Sequence, residues 1–145
     1  MKCISLLQPY ASAIIAGPKR VENRPRSMFA IPDGGIWVGI HASKGWWDIN
    51  WQLWRRDWPD ASMLPSSYPR GVVLGAAHFV EVRKYAETVP VEQIAADLGP
   101  WAFGPVCYLI DRVVALPEPV ACKGALGLWA PTADVSAALD ALVRA

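Results

Sequence analysis

Residues 3–24 read CISLLQPYASAIIAGPKRVENR, and in order they predict a strand, a short helix, a hinge and a second strand. After the apolar run of residues 3–6, Gln8 and Pro9 turn the backbone. Pro9 falls at a first-turn position, where its missing N–H breaks no helical hydrogen bond. Ala11, Ala13 and Ala16 alternate with Ile14 and Ile15 in a helix expected over residues 9–16, ended by Gly17, read as the left-handed terminator, and by Pro18. Val21 to Arg24 reads as a strand, whose side chains alternate between faces, so Glu22 and Arg24 share one side and Val21 and Asn23 the other. Lys19 lies in the turn just before them. A lysine, a carboxylate and a guanidinium are thus gathered beside a small helix, whose proline start is expected to leave backbone donors for an anion.

Downstream, residues 35–43 alternate as a core strand, with Ile36, Val38 and Ile40 on one face and Trp37, Gly39 and His41 on the other. Five of the eight tryptophans fall within residues 45–58. Trp47, Trp51, Trp54 and Trp58 keep helical spacing, which predicts a helix over residues 46–56 docked on the sheet by buried rings rather than a stacking platform. Arg55 and Arg56 flank that stripe. Residues 71–82 form a long strand whose small Gly75, Ala76 and Ala77 call for close packing. Residues 90–99 are punctuated as a helix, and Trp101 and Phe103 sit in a Gly/Pro-flanked turn. Residues 106–114 form another strand, expected to stop at Pro117 and Pro119. Thr132 and Asp134 are placed to cap a last helix with Val135, Leu139 and Leu142 on its apolar stripe.

The chain has 145 residues, 53% hydrophobic and 19% charged, with a net charge of +1. That length predicts one domain over residues 1–145 with a real core, and the near-neutral charge argues against a broad electrostatic coat for nucleic acid. The charge is uneven: residues 1–26 hold five cations (Lys2, Lys19, Arg20, Arg24, Arg26) and one carboxylate, Glu22. Residues 81–100 lean acidic. Cys3, Cys107 and Cys122 are far apart and odd in number, which signals neither a disulfide framework nor a metal site and points to a reduced, cytoplasmic protein. No apolar run approaches bilayer length, so no membrane association is expected.

From spacing alone Lys19, Glu22 and Arg24 read equally well as a surface ion pair or as a recognition set. In the second case the guanidinium takes a phosphate and the carboxylate accepts from a base amine. His41 and His78 read as satisfied core or cleft histidines, since no metal-type residue stands at helpful spacing. Ser43 lacks a His/Asp partner pattern and reads as a turn residue. There is no Gly-rich phosphate loop, and no metal or cofactor is expected.

The positions Gln8, Pro9, Tyr10 and Ala11, followed by Gly17, Lys19, Glu22 and Arg24, resemble the opening motif of the ASCH (ASC-1 homology) family within the PUA-like superfamily. The likeness continues in HASK (residues 41–44), YPRGVVLGAAHFVEV (68–82) and KGALGLW (123–129). It implies an α+β fold in which about five to seven strands form a PUA-like β-barrel (ASCH fold) with flanking helices. It also implies a groove between the barrel and the first helix, faced by Gln8, Lys19, Glu22 and Arg24, with Lys44 and Lys123 at its rim. Lys44 reads equally as a solvated lysine. The partner implied is a single-stranded or short segment of RNA or DNA, RNA foremost, or a modified nucleoside. The alternative is a small amidohydrolase acting on an N4-acylated cytidine, with Lys19 and Glu22 as catalytic residues. This chain has Glu22 where the enzymes of that kind carry a threonine nucleophile, so only a variant in which Glu22 activates water is open to it. A protein-interaction surface on the tryptophan helix is a third possibility.

Overall fold

The computed structural model describes residues 1–46, 56–62 and 64–145. Strand β1 (Cys3–Gln8) leads into helix α1 (Tyr10–Ile15) and strand β2 (Val21–Arg24). Strands β3 (Ile36–Trp46) and β4 (Val72–Lys84) follow, then helix α2 (Val91–Leu98), strand β5 (Val106–Ala121) and helix α3 (Ala133–Arg144). The five strands of the described residues form one sheet in the order β1-β3-β4-β5-β2, with β1 parallel to β3 and every other pair antiparallel.

Among the described residues the closed barrel expected from the sequence is not formed. β1 and β2 are the two edges of the sheet and do not pair. The β1 backbone is engaged otherwise: Cys3 exchanges both hydrogen bonds with Trp129, at 2.8 and 2.9 Å, and the Ser5 carbonyl accepts from Arg24 Nη2 at 3.4 Å. A side chain rather than a ladder therefore spans the seam between the edges.

Alternation in β3 works as read, but both faces of its middle are covered. Ile4, Val38, Ile40, Phe79 and Tyr108 pack beneath Ile14 of α1, while Cys3, Val73, Ala76 and Trp129 pack with Leu139 of α3. A Cβ at Gly39 would stand 2.5 Å from Cys3 Sγ and 2.7 Å from Leu139, so the glycine serves close approach of β1 and α3 to the sheet. The phenol of Tyr108 accepts from the N–H groups of Met28 and Phe29, at 2.6 and 3.1 Å, and donates to the Phe29 carbonyl at 3.0 Å. That bond set fastens the loop after β2 to the core.

Three local expectations are corrected. β5 runs through Pro117 and Pro119 to Ala121, because its register against β4 jumps from Gly75–Ala115 to Val73–Val120. The prolines ride in the resulting bulge, where no ladder donor is needed. Gly17 is not among the residues with left-handed backbone. It is small because a Cβ there would lie 2.9 Å from the Trp58 ring and from the Ala13 carbonyl, and Arg20 Nη1 instead takes the Ile14 and Gly17 carbonyls at the helix end. Trp46 ends β3 rather than opening a helix. Residues 47–55 of the expected tryptophan helix, with Trp47, Trp51, Trp54 and Arg55, lie outside the described residues, and Arg56 at its expected end is helical. Among the described residues no helix is long and apolar enough to cross a membrane.

Candidate functional site

The open seam between β1 and β2 is a cleft of about 590 Å³. Ser5, Leu6, Leu7 and Tyr10 line one side, Lys19, Glu22, Asn23, Arg24 and Pro25 the other, and Val91 and Phe103 close it. A strand of only four residues positions the charged group. β2 pairs with Val106–Leu109 of β5, which leaves its other edge and the Glu22–Arg24 face toward the seam.

Glu22 is the hub of this group. It is 6% exposed, and its Oε2 meets Arg24 Nε at 2.9 Å while its Oε1 meets Lys19 Nζ at 3.3 Å. The expected shared face of Glu22 and Arg24 is thus observed as a contact. Lys19, 1% exposed, also donates to the Val21 carbonyl, and its ammonium lies 5.2 Å from the Tyr10 ring centroid. Burial pulls the Lys19 amine below its ordinary value, and the neighbouring Glu22 carboxylate opposes that shift. Arg24 is the more accessible cation of the trio. Its Nη2 donates to the Ser5 carbonyl and its Nε lies 2.9 Å from Glu22 Oε2 as an ion-pair contact, while neither Nε nor Nη1 has a hydrogen bond among the described residues. The fork is held in place with donors left over.

The other expected residues lie elsewhere. Gln8 lines neither this cleft nor the second one. It is fully buried, donating to Ser12 Oγ and the Pro69 carbonyl, each at 2.8 Å, and accepting from the Ser12 N–H at 3.0 Å. Its amide thereby takes a donor of the first turn of α1 that the sequence reading had left for an anion. Lys44 and Lys123 line a second cleft of about 790 Å³ with Ser5, His41, Ser43, Gly71 and residues 122–126. The single groove expected from the sequence is therefore two clefts, with Ser5 of β1 common to both.

Sequence reasoning passed over Tyr10, Asn23 and Phe103. Asn23 Oδ1 accepts the N–H groups of Phe103 and Gly104, at 2.8 and 3.0 Å, and its Nδ2 donates to the Trp101 carbonyl at 2.9 Å. One amide therefore sets the turn that carries Phe103, a ring left 39% exposed at the cleft. The Gly/Pro flanks of that turn were the available signal; the link to Asn23, about 80 residues away, was not.

His78 and His41 are both satisfied, as the sequence suggested. His78 Nδ1 lies 2.6 Å from Asp111 Oδ1. His41 lies in the second cleft, Nε2 2.7 Å from the Cys122 carbonyl and Nδ1 3.0 Å from Ser5 Oγ. Burial holds His41 below its ordinary 6.5, the bond to Cys122 opposing. With a depressed folded value the unfolded chain takes the proton first, so this residue's contribution is complete above about pH 6.5 and is lost as pH falls toward the folded value. Urea unfolding followed from about pH 8 to pH 5 is expected to show that loss, and His41→Gln to lack this component of it.

No curated protein matches the chain. The family model described as ASCH domain matches residues 4–113, a span that holds the whole first cleft. Among the described residues a five-stranded sheet with helices α1, α2 and α3 agrees with a PUA-like fold in its broad form, and the family is consistent with a nucleic-acid-binding or RNA-related domain.

Proposed function

Because this chain belongs to the ASCH domain family, we propose that it binds RNA, seating one unstacked nucleotide of a single-stranded segment in the cleft between β1 and β2. The observation that carries this reading is the pairing of an apolar-walled, nucleotide-sized cavity with one anchored, partly exposed guanidinium. Ligand pockets typically run about 300–1,000 Å³ with few, well-placed polar groups. Tyr10 and Phe103 offer faces for a base, Arg24 offers donors to a phosphate, and each Glu22 oxygen keeps a lone pair for an exocyclic amine. RNA is favoured because its sequence-specific recognition works mostly on single-stranded, splayed bases. A net charge of +1 suits a pocket better than a long track.

The amidohydrolase reading has less support. Both carboxylate oxygens of Glu22 stand in ion pairs, which holds the group as an anion and acceptor rather than as a base facing water. The test is a fluorescence titration of a short single-stranded RNA. Phe103→Ala is expected to weaken binding by about 5- to 150-fold, the worth of one stacked base, with the salt dependence unchanged. Equal affinity of variant and wild type would remove the base from this cleft.

A further inference from the structure

The second cleft contains an arrangement that RNA binding leaves unused. β1 and β3 run parallel with Ser5 directly beside His41, and their side chains meet, Ser5 Oγ to His41 Nδ1, at 3.0 Å. The tautomer follows from the partners. The Cys122 carbonyl, 2.7 Å from Nε2, can only accept, so Nε2 carries the ring proton and Nδ1 presents its lone pair. The Ser5 hydroxyl therefore donates to Nδ1. Trp129 Nε1–H donates to Ser5 Oγ at 3.1 Å, and the Trp129 ring stands edge-on to the imidazole with centroids 5.4 Å apart. The result is a hydroxyl on a base and a base oriented by a third group, the arrangement by which a serine is activated.

A Cβ at residue 124 would stand 2.5 Å from both Ser5 Oγ and His41 Cε1, so the Gly124 backbone packs directly against the pair and only a glycine permits that approach. The rest of the cleft wall points to a reacting molecule rather than to a structural tie alone. Ser43, on the His41 side of β3, lines the same cleft with its hydroxyl buried and without a hydrogen-bond partner among the described residues. Lys44 and Lys123 add positive charge at the wall, and Leu126, 98% exposed, adds an apolar edge. Burial also disfavours protonation of His41, which keeps the ring a base near neutral pH.

We propose that Ser5 and His41 form a nucleophile–base pair that hydrolyses carboxylic esters carrying an anionic group. Ser5 Oγ attacks the carbonyl carbon as its proton passes to His41 Nδ1, and the Ser43 hydroxyl is the donor available to the developing oxyanion. Collapse breaks the bond to the alkoxy group, which leaves as the alcohol with the proton from Nδ1. Water then attacks the acyl-Ser5, giving its proton to Nδ1, and Ser5 departs with that proton restored. The carboxylic acid is released, so one ester and one water yield one acid and one alcohol. Lys44 and Lys123 hold the anionic group. The inference does not depend on RNA binding, since it uses the other cleft.

The test uses the whole protein and a fluorophosphonate probe, which phosphonylates activated serines. Intact mass is expected to show one adduct, and peptide mass spectrometry to place it on Ser5 of the wild-type protein. His41→Gln is expected to slow labelling by about 10²-fold or more. Turnover of a p-nitrophenyl ester with a free carboxylate is expected to show a raised KM in Lys123→Ala. Mapping the adduct needs no variant at Ser5, so poor folding of Ser5→Ala would not obscure the result. No adduct, an adduct on another residue, or labelling unchanged by His41→Gln would each overturn the proposal and leave the pair a structural tie.

Discussion

Glu22→Gln is expected to destabilise the protein by about 3–5 kcal/mol, the range for removing one partner of a buried ion pair. The size follows from what is stranded. Glu22 meets two cations, and one of them, the Lys19 ammonium, has almost no access to water. Without the carboxylate's charge, Lys19 keeps the Val21 carbonyl and the Tyr10 ring; it then either stays charged in a poor environment or loses its proton, and stability falls either way. Lys19→Met should cost less, because Glu22 keeps its contact with Arg24 at 2.9 Å. In the double variant Lys19→Met/Glu22→Gln the stranded charge is gone, so it should recover at least about 1 kcal/mol relative to Glu22→Gln alone. Guanidinium unfolding of the three variants measures this. A Glu22→Gln protein within about 0.5 kcal/mol of wild type would mean that the trio is solvated rather than buried.

Local pattern made much of this molecule legible, and long-range pairing hid the rest. The order strand, helix, hinge, strand over residues 3–24 is present because alanine-rich helix and alternating strand are local signals. The same holds for the cores of β3 and β4. The continuation of β5 past two prolines was hidden because a bulge is a property of two strands, and only the β4 register reveals it. The open seam was hidden for a similar reason. Whether edges meet depends on Trp129 and Arg24 reaching β1 from opposite ends of the chain. At the site, the Glu22–Arg24 contact was readable from strand alternation. The inward commitment of Gln8 was not, because Pro69, 61 residues away, supplies its partner. Lys44 and Lys123 read as rim lysines of one groove, yet they line a second cleft whose walls share only Ser5 with the first. The Ser5–His41 pair escaped notice because it comes from a parallel register between strands joined by two other elements.

Arg24→Ala is expected to weaken binding of a short single-stranded RNA by about 10- to 150-fold, the worth of a charge-assisted hydrogen-bond set at about 1.5–3 kcal/mol. It should also flatten the salt dependence. One phosphate contact on a single strand contributes about 0.7 to the slope of log affinity against log salt, so the slope should fall by about that amount. Arg24 is the cation to test because Lys19 is enclosed, and Arg20 is committed to the carbonyls at the end of α1. Removing it leaves Glu22 paired with Lys19, so the fold should survive for the binding assay. The direct test is therefore a titration of wild type, Arg24→Ala and Phe103→Ala with one fluorescent oligoribonucleotide at two salt concentrations. The wild type is expected to bind, Arg24→Ala to lose affinity together with part of the salt slope, and Phe103→Ala to lose affinity with the slope intact. A wild type that does not bind, or variants that match it at both salts, would contradict a nucleotide site between β1 and β2.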